Sequence, residues 1–258
     1  MRVVNLEAKF LTDRGLIRTH NEDAGGIFYN KSGQLLAVIA DGMGGHKAGD
    51  IASQLAVSLM QEKWLKEKET TSPEQTEKWL TDTIAALNVT IYERSLEHEN
   101  FNSMGTTIVS AIVTDDYVTV AHIGDSRCYI YNENGFTQVT EDHSLVNELM
   151  RSGQISKADA KNHPRKNIVL KALGTEKEEL ADVQTMSWEK NNKLLLCSDG
   201  LTDKVMDDEL AKLIAQDEQV DTIGQQMIDL ANDRGGEDNI SLVIVNYPFS
   251  DEGGDHAC

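Results

Sequence analysis

The segment 35–48, Leu-Leu-Ala-Val-Ile-Ala-Asp-Gly-Met-Gly-Gly-His-Lys-Ala, constrains the chain more than any other. Six consecutive apolar residues have the length of a buried strand, and the run stops at one carboxylate, Asp41. Gly42, Gly44 and Gly45 follow, then His46, after which the pattern turns helical. This ending sets Asp41 at a sheet edge, on a turn with little side-chain bulk, where a ligand can approach the backbone. A cation or a phosphate suits such a place, and so does an ordinary tight turn. The glycine orders of a P-loop and of a dinucleotide fingerprint are absent, as is the acidic spacing of an EF-hand.

The context repeats. Apolar runs at 35–40, 118–123 and 194–197 each stop at an acidic turn: Asp41-Gly42, Gly124-Asp125 and Ser198-Asp199-Gly200. A fourth run, 240–245, is preceded by its acid, in Gly235-Gly236-Glu237-Asp238-Asn239. If the fourth strand runs antiparallel to the first and third, Asp41, Asp199 and Asp238 meet at one edge of the sheets, with Asp125 nearby. Each acid alone reads as a turn or cap residue; four in one context argue for convergence. Gathered carboxylates repel and raise one another's pKa, and a hard divalent cation resolves the conflict. Oxygen ligands without clustered His or Cys point to Mg²⁺ or Mn²⁺. A metal pair about 3.5–4 Å apart can lower the pKa of a bridging water, which suits phosphate ester hydrolysis. Arg18 reads equally as a surface cation or as a fork for phosphate. After a metal-type turn, His46 gains weight as an acid for the leaving oxygen.

Around these points the pattern predicts strands at 6–12, 24–29, 106–113, 117–123, 128–132, 136–139, 183–186 and 194–197, and a last one at 240–246. Short turns at 114–116 and 133–135 suggest an antiparallel meander. One helix carries the stripe Ile51, Leu55, Leu59 beside Ala52, Ala56, Met60. A second starts cleanly, with Ser72 as N-cap, Pro73 at the first helical position and Gln75 completing a capping box. Two more are expected at 207–216 and 221–232. The stretch 141–174 differs: short helices at 144–151 and 156–161, then the basic His163-Pro164-Arg165-Lys166, read as a flap beside the core. Strands grouped around helix pairs give an α+β fold, with one domain over 1–247 and a disordered tail over 248–258.

Acidic residues outnumber basic ones 43 to 24, a formal charge of −19, which opposes nucleic-acid backbones and anionic membranes as partners. No run approaches about 18 apolar residues, so no membrane span is expected. Three cysteines without a Cys-x-x-Cys argue against a zinc site and for a reducing compartment, and with a charged N-terminus this points to the cytoplasm.

The chain resembles the metal-dependent serine/threonine phosphatases, the type 2C protein phosphatases, most of all the short bacterial members. The resemblance rests on Arg18-Thr19-His20-Asn21-Glu22-Asp23, Asp41-Gly42-Met43-Gly44-Gly45-His46, Met104-Gly105-Thr106-Thr107, Gly124-Asp125-Ser126-Arg127, Ser198-Asp199-Gly200-Leu201 and Asp238-Asn239, in family order over nearly the whole chain. It implies a four-layer αββα sandwich with metals at one end. By family pattern Asp41 bridges two Mn²⁺ or Mg²⁺ ions, the Gly42 carbonyl binds the first, and Asp199 and Asp238 bind the second. Asp23 matches the acid that holds metal-bound water, with Glu22 beside it, and Asp125 with Asp199 matches a third, weaker site. Arg18 matches the phosphate-binding arginine. His46 is the implied general acid, although here Met43 stands where relatives with Asp-Gly-His have histidine. The segment 143–174 corresponds to a flap that influences substrate choice. The implied reaction is direct attack of a bridging hydroxide on phosphoserine or phosphothreonine in proteins, by a monomer that opposes a serine/threonine kinase. A metal-dependent phosphoprotein-binding module and a small-molecule phosphoesterase are the rival readings.

Overall fold

In a computed structural model the described residues are 6–44, 48–97, 101, 104–161 and 163–248. His46 and the tail from 249 onward therefore lie outside the described residues.

Two antiparallel sheets pack face to face. One has the order β1-β11-β10-β7-β8, from β1 (Glu7–Asp13), β11 (Ile240–Asn246), β10 (Lys193–Cys197), β7 (Arg127–Asn132) and β8 (Gly135–Gln138). The other has the path β2-β3-β5-β6-β9, from β2 (Asp23–Tyr29), β3 (Leu35–Met43), β5 (Ile108–Val113), β6 (Tyr117–Ile123) and β9 (Asp182–Ser187), with β4 (Gly105–Thr106) beside β3.

The alternation of side chains on β3 explains the layers. Leu35, Ala37 and Ile39 enter the core between the sheets, with Val109, Ala111, Leu194, Leu196 and Val243. Leu36, Val38 and Ala40 face the opposite way, against α1 (Ala48–Lys66) and α2 (Pro73–Ser95). On the far side Leu195, Leu242 and Ile244 pack against α6 (Asp207–Ile214) and α7 (Val220–Asp233). The result is the expected αββα order. A strand buried on both faces has no polar side, hence its continuous apolar run. Each such Leu or Ile contributes roughly 1.5–3 kcal/mol by burial.

Three local expectations change. The meander is broken: β6 and β7 belong to different sheets, and the chain crosses between them at 124–126. The single strand expected at 106–113 is split into β4 and β5. At the break Thr107 donates its N–H to Asp41 O (2.8 Å), and its Oγ1 accepts from Asp41 N (3.0 Å). In turn β3 runs past Asp41, because Gly42 and Met43 pair with Thr106 and Gly105. At α2, Ser72 Oγ accepts from Gln75 N (3.4 Å), but the Gln75 side chain reaches Thr71 N and Oγ1 instead of closing the box on Ser72. The excursion contains α3 (Leu145–Arg151) and α4 (Lys157–Lys161), and α5 (Asp199–Thr202) is a turn of helix that the pattern did not announce.

Candidate metal centre

The antiparallel register brings strand ends and a strand start to one edge. Asp41 lies near the end of β3 and is paired with Asp23, the first residue of β2. Asp199 follows the end of β10, and Asp238 precedes the start of β11, the antiparallel neighbour of β10. Asp125 follows β6 on the crossing between the sheets. Thus Asp23, Asp41, Asp125, Asp199 and Asp238 gather as expected.

Their electrostatics record the crowding. Burial pushes the Asp41 carboxyl well above the usual carboxylate range, and Asp23, Asp199, Asp125 and Asp238 add to the shift. Asp199 is raised in the same way, by burial and then by Asp125 and Asp238. Asp23 is pushed up to about 6 by burial, against the pull of its Ser241 and Ser198 hydrogen bonds. Asp125 also reaches about 6, through burial and then Asp142. Glu22 is raised by burial, with Arg18 opposing. A cluster of carboxylates whose burial and mutual repulsion disfavour the charged form calls for positive charge.

The local framework is specific. Ser198 Oγ donates to Asp23 Oδ2 (2.8 Å) and accepts from Ser241 N (3.0 Å), whereas Asp23 Oδ1 is buried without a partner. Gly42 N donates to Glu22 O (3.1 Å), and a Cβ at Gly42 would lie 2.2 Å from Gly49 O. Only glycine lets this end of β3 meet the start of α1 so closely. Asn239 fastens the loop that carries Arg18: its Nδ2 donates to Arg14 O and His20 O, and its Oδ1 accepts from Glu22 N (2.8 Å). Arg18, exposed at the rim, donates Nη2–H to Asp238 Oδ2 (2.8 Å). The guanidinium is thus a cation standing on one of the carboxylates.

These residues fit divalent metal: hard oxygen donors, a buried carboxylate oxygen with no partner, and an arginine already neutralising part of the charge. Sequence reasoning quoted Ser198, Thr107 and Asn239 inside motifs without giving them roles. Their hydroxyl and amide groups serve backbone and carboxylate across long sequence separations, which no local pattern reveals. Asp203, which adds to the shift of Asp199, was missed altogether. A groove of ≈ 720 Å³ opens beside the cluster. It is lined by Val146, Met150 and Lys166 on one side, by Asp203 and Met206 on the other, and reaches Asp125 and Asp199.

A family model described as Protein phosphatase 2C matches residues 18–241. The serine/threonine phosphatase stp of Listeria monocytogenes serotype 4b is 46% identical over 253 residues, covering 97% of this chain and 99% of its own. Protein phosphatase PhpP of Streptococcus pneumoniae serotype 2 is 36% identical, covering 95% and 99%. Among solved structures, serine/threonine phosphatase Stp1 from Staphylococcus aureus superposes with a TM-score of 0.89 at 40% identity, over 93% of this chain and 94% of that one. The catalytic domain of the phosphatase PstP, in complex with 2 manganese ions, gives 0.82 at 28% identity, over 95% and 99%.

Proposed function

The chain belongs to the protein phosphatase 2C family, as a metal-dependent serine/threonine phosphatase, and on that premise we propose how its own residues do the work. Asp41, the Gly42 carbonyl, Asp199 and Asp238 hold two divalent ions, Mn²⁺ or Mg²⁺, and Asp125 with Asp199 offers a third, weaker place. When bound, the ions supply a hydroxide nucleophile at neutral pH and neutralise phosphoryl charge. Asp23 is a proton acceptor beside them, with one oxygen fixed by Ser198 and the other free. Glu22 lends its backbone to the site's framework and its carboxylate to the shared charge. Arg18 receives the phosphate, which competes with Asp238 for its fork. His46 remains the proposed general acid on sequence grounds, its position lying outside the described residues.

The substrate is phosphoserine or phosphothreonine within a protein, whose flanking residues the groove beside Asp125 accommodates. The enzyme acts as a monomer opposing a serine/threonine kinase, with 1–247 as one catalytic unit. Among the described residues no helix is long and apolar enough to cross a membrane.

The observation that carries this reading is the convergence of Asp23, Asp41, Asp199 and Asp238 at one edge of the two sheets, where paired strands end and begin. The test is phosphate release from a phosphothreonine peptide with Mn²⁺, with Mg²⁺ and with excess EDTA, beside free phosphoserine and a nucleotide. Release that needs metal and favours the peptide is expected. Equal release with EDTA would overturn the metal assignment, and preference for the small esters would overturn the protein substrate.

A further inference from the structure

Away from the metal centre, His122, His143 and Asp182 bring one donor atom each within 4.8 Å of one another, the composition of a transition-metal site. Two features argue against that use. The imidazoles of His122 and His143 stack nearly parallel, 14° between planes and 4.7 Å between centroids. Nitrogen lone pairs lie in the ring planes, so one ion cannot sit well in both. Moreover, Gly124 N donates to His143 Nδ1 (3.1 Å), which leaves the proton on Nε2, 3.3 Å from Asp182 Oδ2. A ligating Nε2 needs its proton on Nδ1, where it would face the Gly124 N–H.

The tautomer points elsewhere. Gly124 follows the last residue of β6 and leads into Asp125, and its φ of +107° is one that glycine tolerates. A Cβ there would lie 2.6 Å from the Thr107 side chain. His143 grips this residue twice: its Nδ1 accepts from Gly124 N, and its own N–H donates to Gly124 O (2.9 Å). Both peptide planes that flank Gly124 are thereby set. His143 in turn is held by the His122 stack and by Asp182, and the preceding Asp142 takes a multiple hydrogen bond from Arg127, two residues past Asp125. Beyond His143 the flap begins, and Leu170 N, four residues before its end, returns to His143 O (2.7 Å).

We propose that His143 is a positioning residue for Asp125: its Nδ1, kept as an acceptor, fixes the Gly124 peptide and so aims the Asp125 carboxylate, tying the root of the flap to the weaker metal position. Burial and the neighbouring His122 hold the His143 ring below the usual imidazole pKa, with Asp182 opposing, which keeps Nδ1 unprotonated at neutral pH. The proposal rests on the reading of Asp125 as a metal ligand.

The test is Mn²⁺ titration by calorimetry, without substrate, on wild type and on His143→Phe, His143→Asn and Asp125→Ala. Phe keeps the ring and its stack but has no acceptor. Asn drops the ring and places Oδ1 near the position of Nδ1. The weakest binding event should be lost in Asp125→Ala. It should weaken about tenfold in His143→Phe, which leaves a buried N–H unpaired, and stay within about twofold of wild type in His143→Asn. The tighter events should not move. A weakened event in His143→Asn, or failure of that variant to fold, would overturn the proposal whatever the Phe variant does, as would wild-type binding in His143→Phe. Tight uptake of one Zn²⁺ that His122→Phe abolishes would make the triad a metal site and overturn it too. Unchanged binding in Asp125→Ala would remove Asp125 from the ligands, and the proposal with it; wild-type binding there is the mark that separates this failure from the others.

Discussion

The metal floor and the flap differ in what holds them. Around the floor the backbone is rigid by construction: Asp41 is fixed through Thr107 on both its N–H and its carbonyl, and the strands that end there are buried on both faces. In the flap, α3 has no buried residue, and the Lys166–Asp203 ion pair that lies across the groove is half exposed (2.6 Å). Its firm attachments are at its two ends, through Asp142 and His143 at one and through Leu173, paired with Thr106, and Gly174, held by Asn88 Oδ1, at the other. Like charges can be forced together only where a well-packed frame resists their repulsion. A surface that must accept varied polypeptide is better served by few buried contacts. On the function proposed above, the chain therefore separates the chemistry, set in the core, from selection, set at the edge.

Asp41→Asn should break the floor most severely. Turnover is expected to fall on the order of a thousandfold or more, because divalent ions held as proposed would lose a carboxylate ligand. The metal-free variant should nevertheless melt higher than metal-free wild type at pH 7, since one repelling charge is gone. Comparable turnover, or a lower melting point, would contradict the role given to the floor.

Next in size is the pH dependence of metal-free stability. Asp23 and Asp125 rise from an ordinary 3.8 to about 6 on folding, so between those values the folded protein binds more protons than the unfolded chain. Their stabilising contribution is present below about 4 and is lost as pH climbs through about 6, on the order of a few kcal/mol in all. Denaturation midpoints followed from pH 4 to 7 should fall with EDTA and stay level with saturating Mn²⁺. Parallel curves would mean that the ions do not sit among these carboxylates.

Arg18→Ala probes the rim between the two regions. It should raise KM for the phosphopeptide about tenfold, the worth of a charge-assisted hydrogen bond, with a smaller change in kcat. An unchanged KM would return Arg18 to the status of a surface cation paired with Asp238.

The smallest effect on stability belongs to the flap. Lys166→Ala removes a half-exposed ion pair, so the cost should stay within about 1 kcal/mol. The ratio of phosphopeptide to small-ester turnover should change more than the melting point does. A large loss of stability would show that the flap is part of the core after all.

Much of this was legible in the chain itself. An apolar run closed by Asp41-Gly42, repeated at Asp125 and Asp199 and mirrored at Asp238, shows strand ends that carry acids, because burial and turn chemistry are written locally. The helix pairs were legible for the same reason, from their apolar stripes. The crossing of the chain between sheets after β6 was not, since a strand's partner is chosen by distant residues. Nor was the tautomer of His143: 19 positions separate it from Gly124, and nothing in either residue's neighbourhood announces the contact. Ser198, Asn239 and Asp203 were hidden likewise. Local physics determined which residues could bear charge at a sheet edge; only the tertiary structure decided which carboxylates face one another and which polar groups hold them there, because such pairing is paid for by the packing of the whole fold.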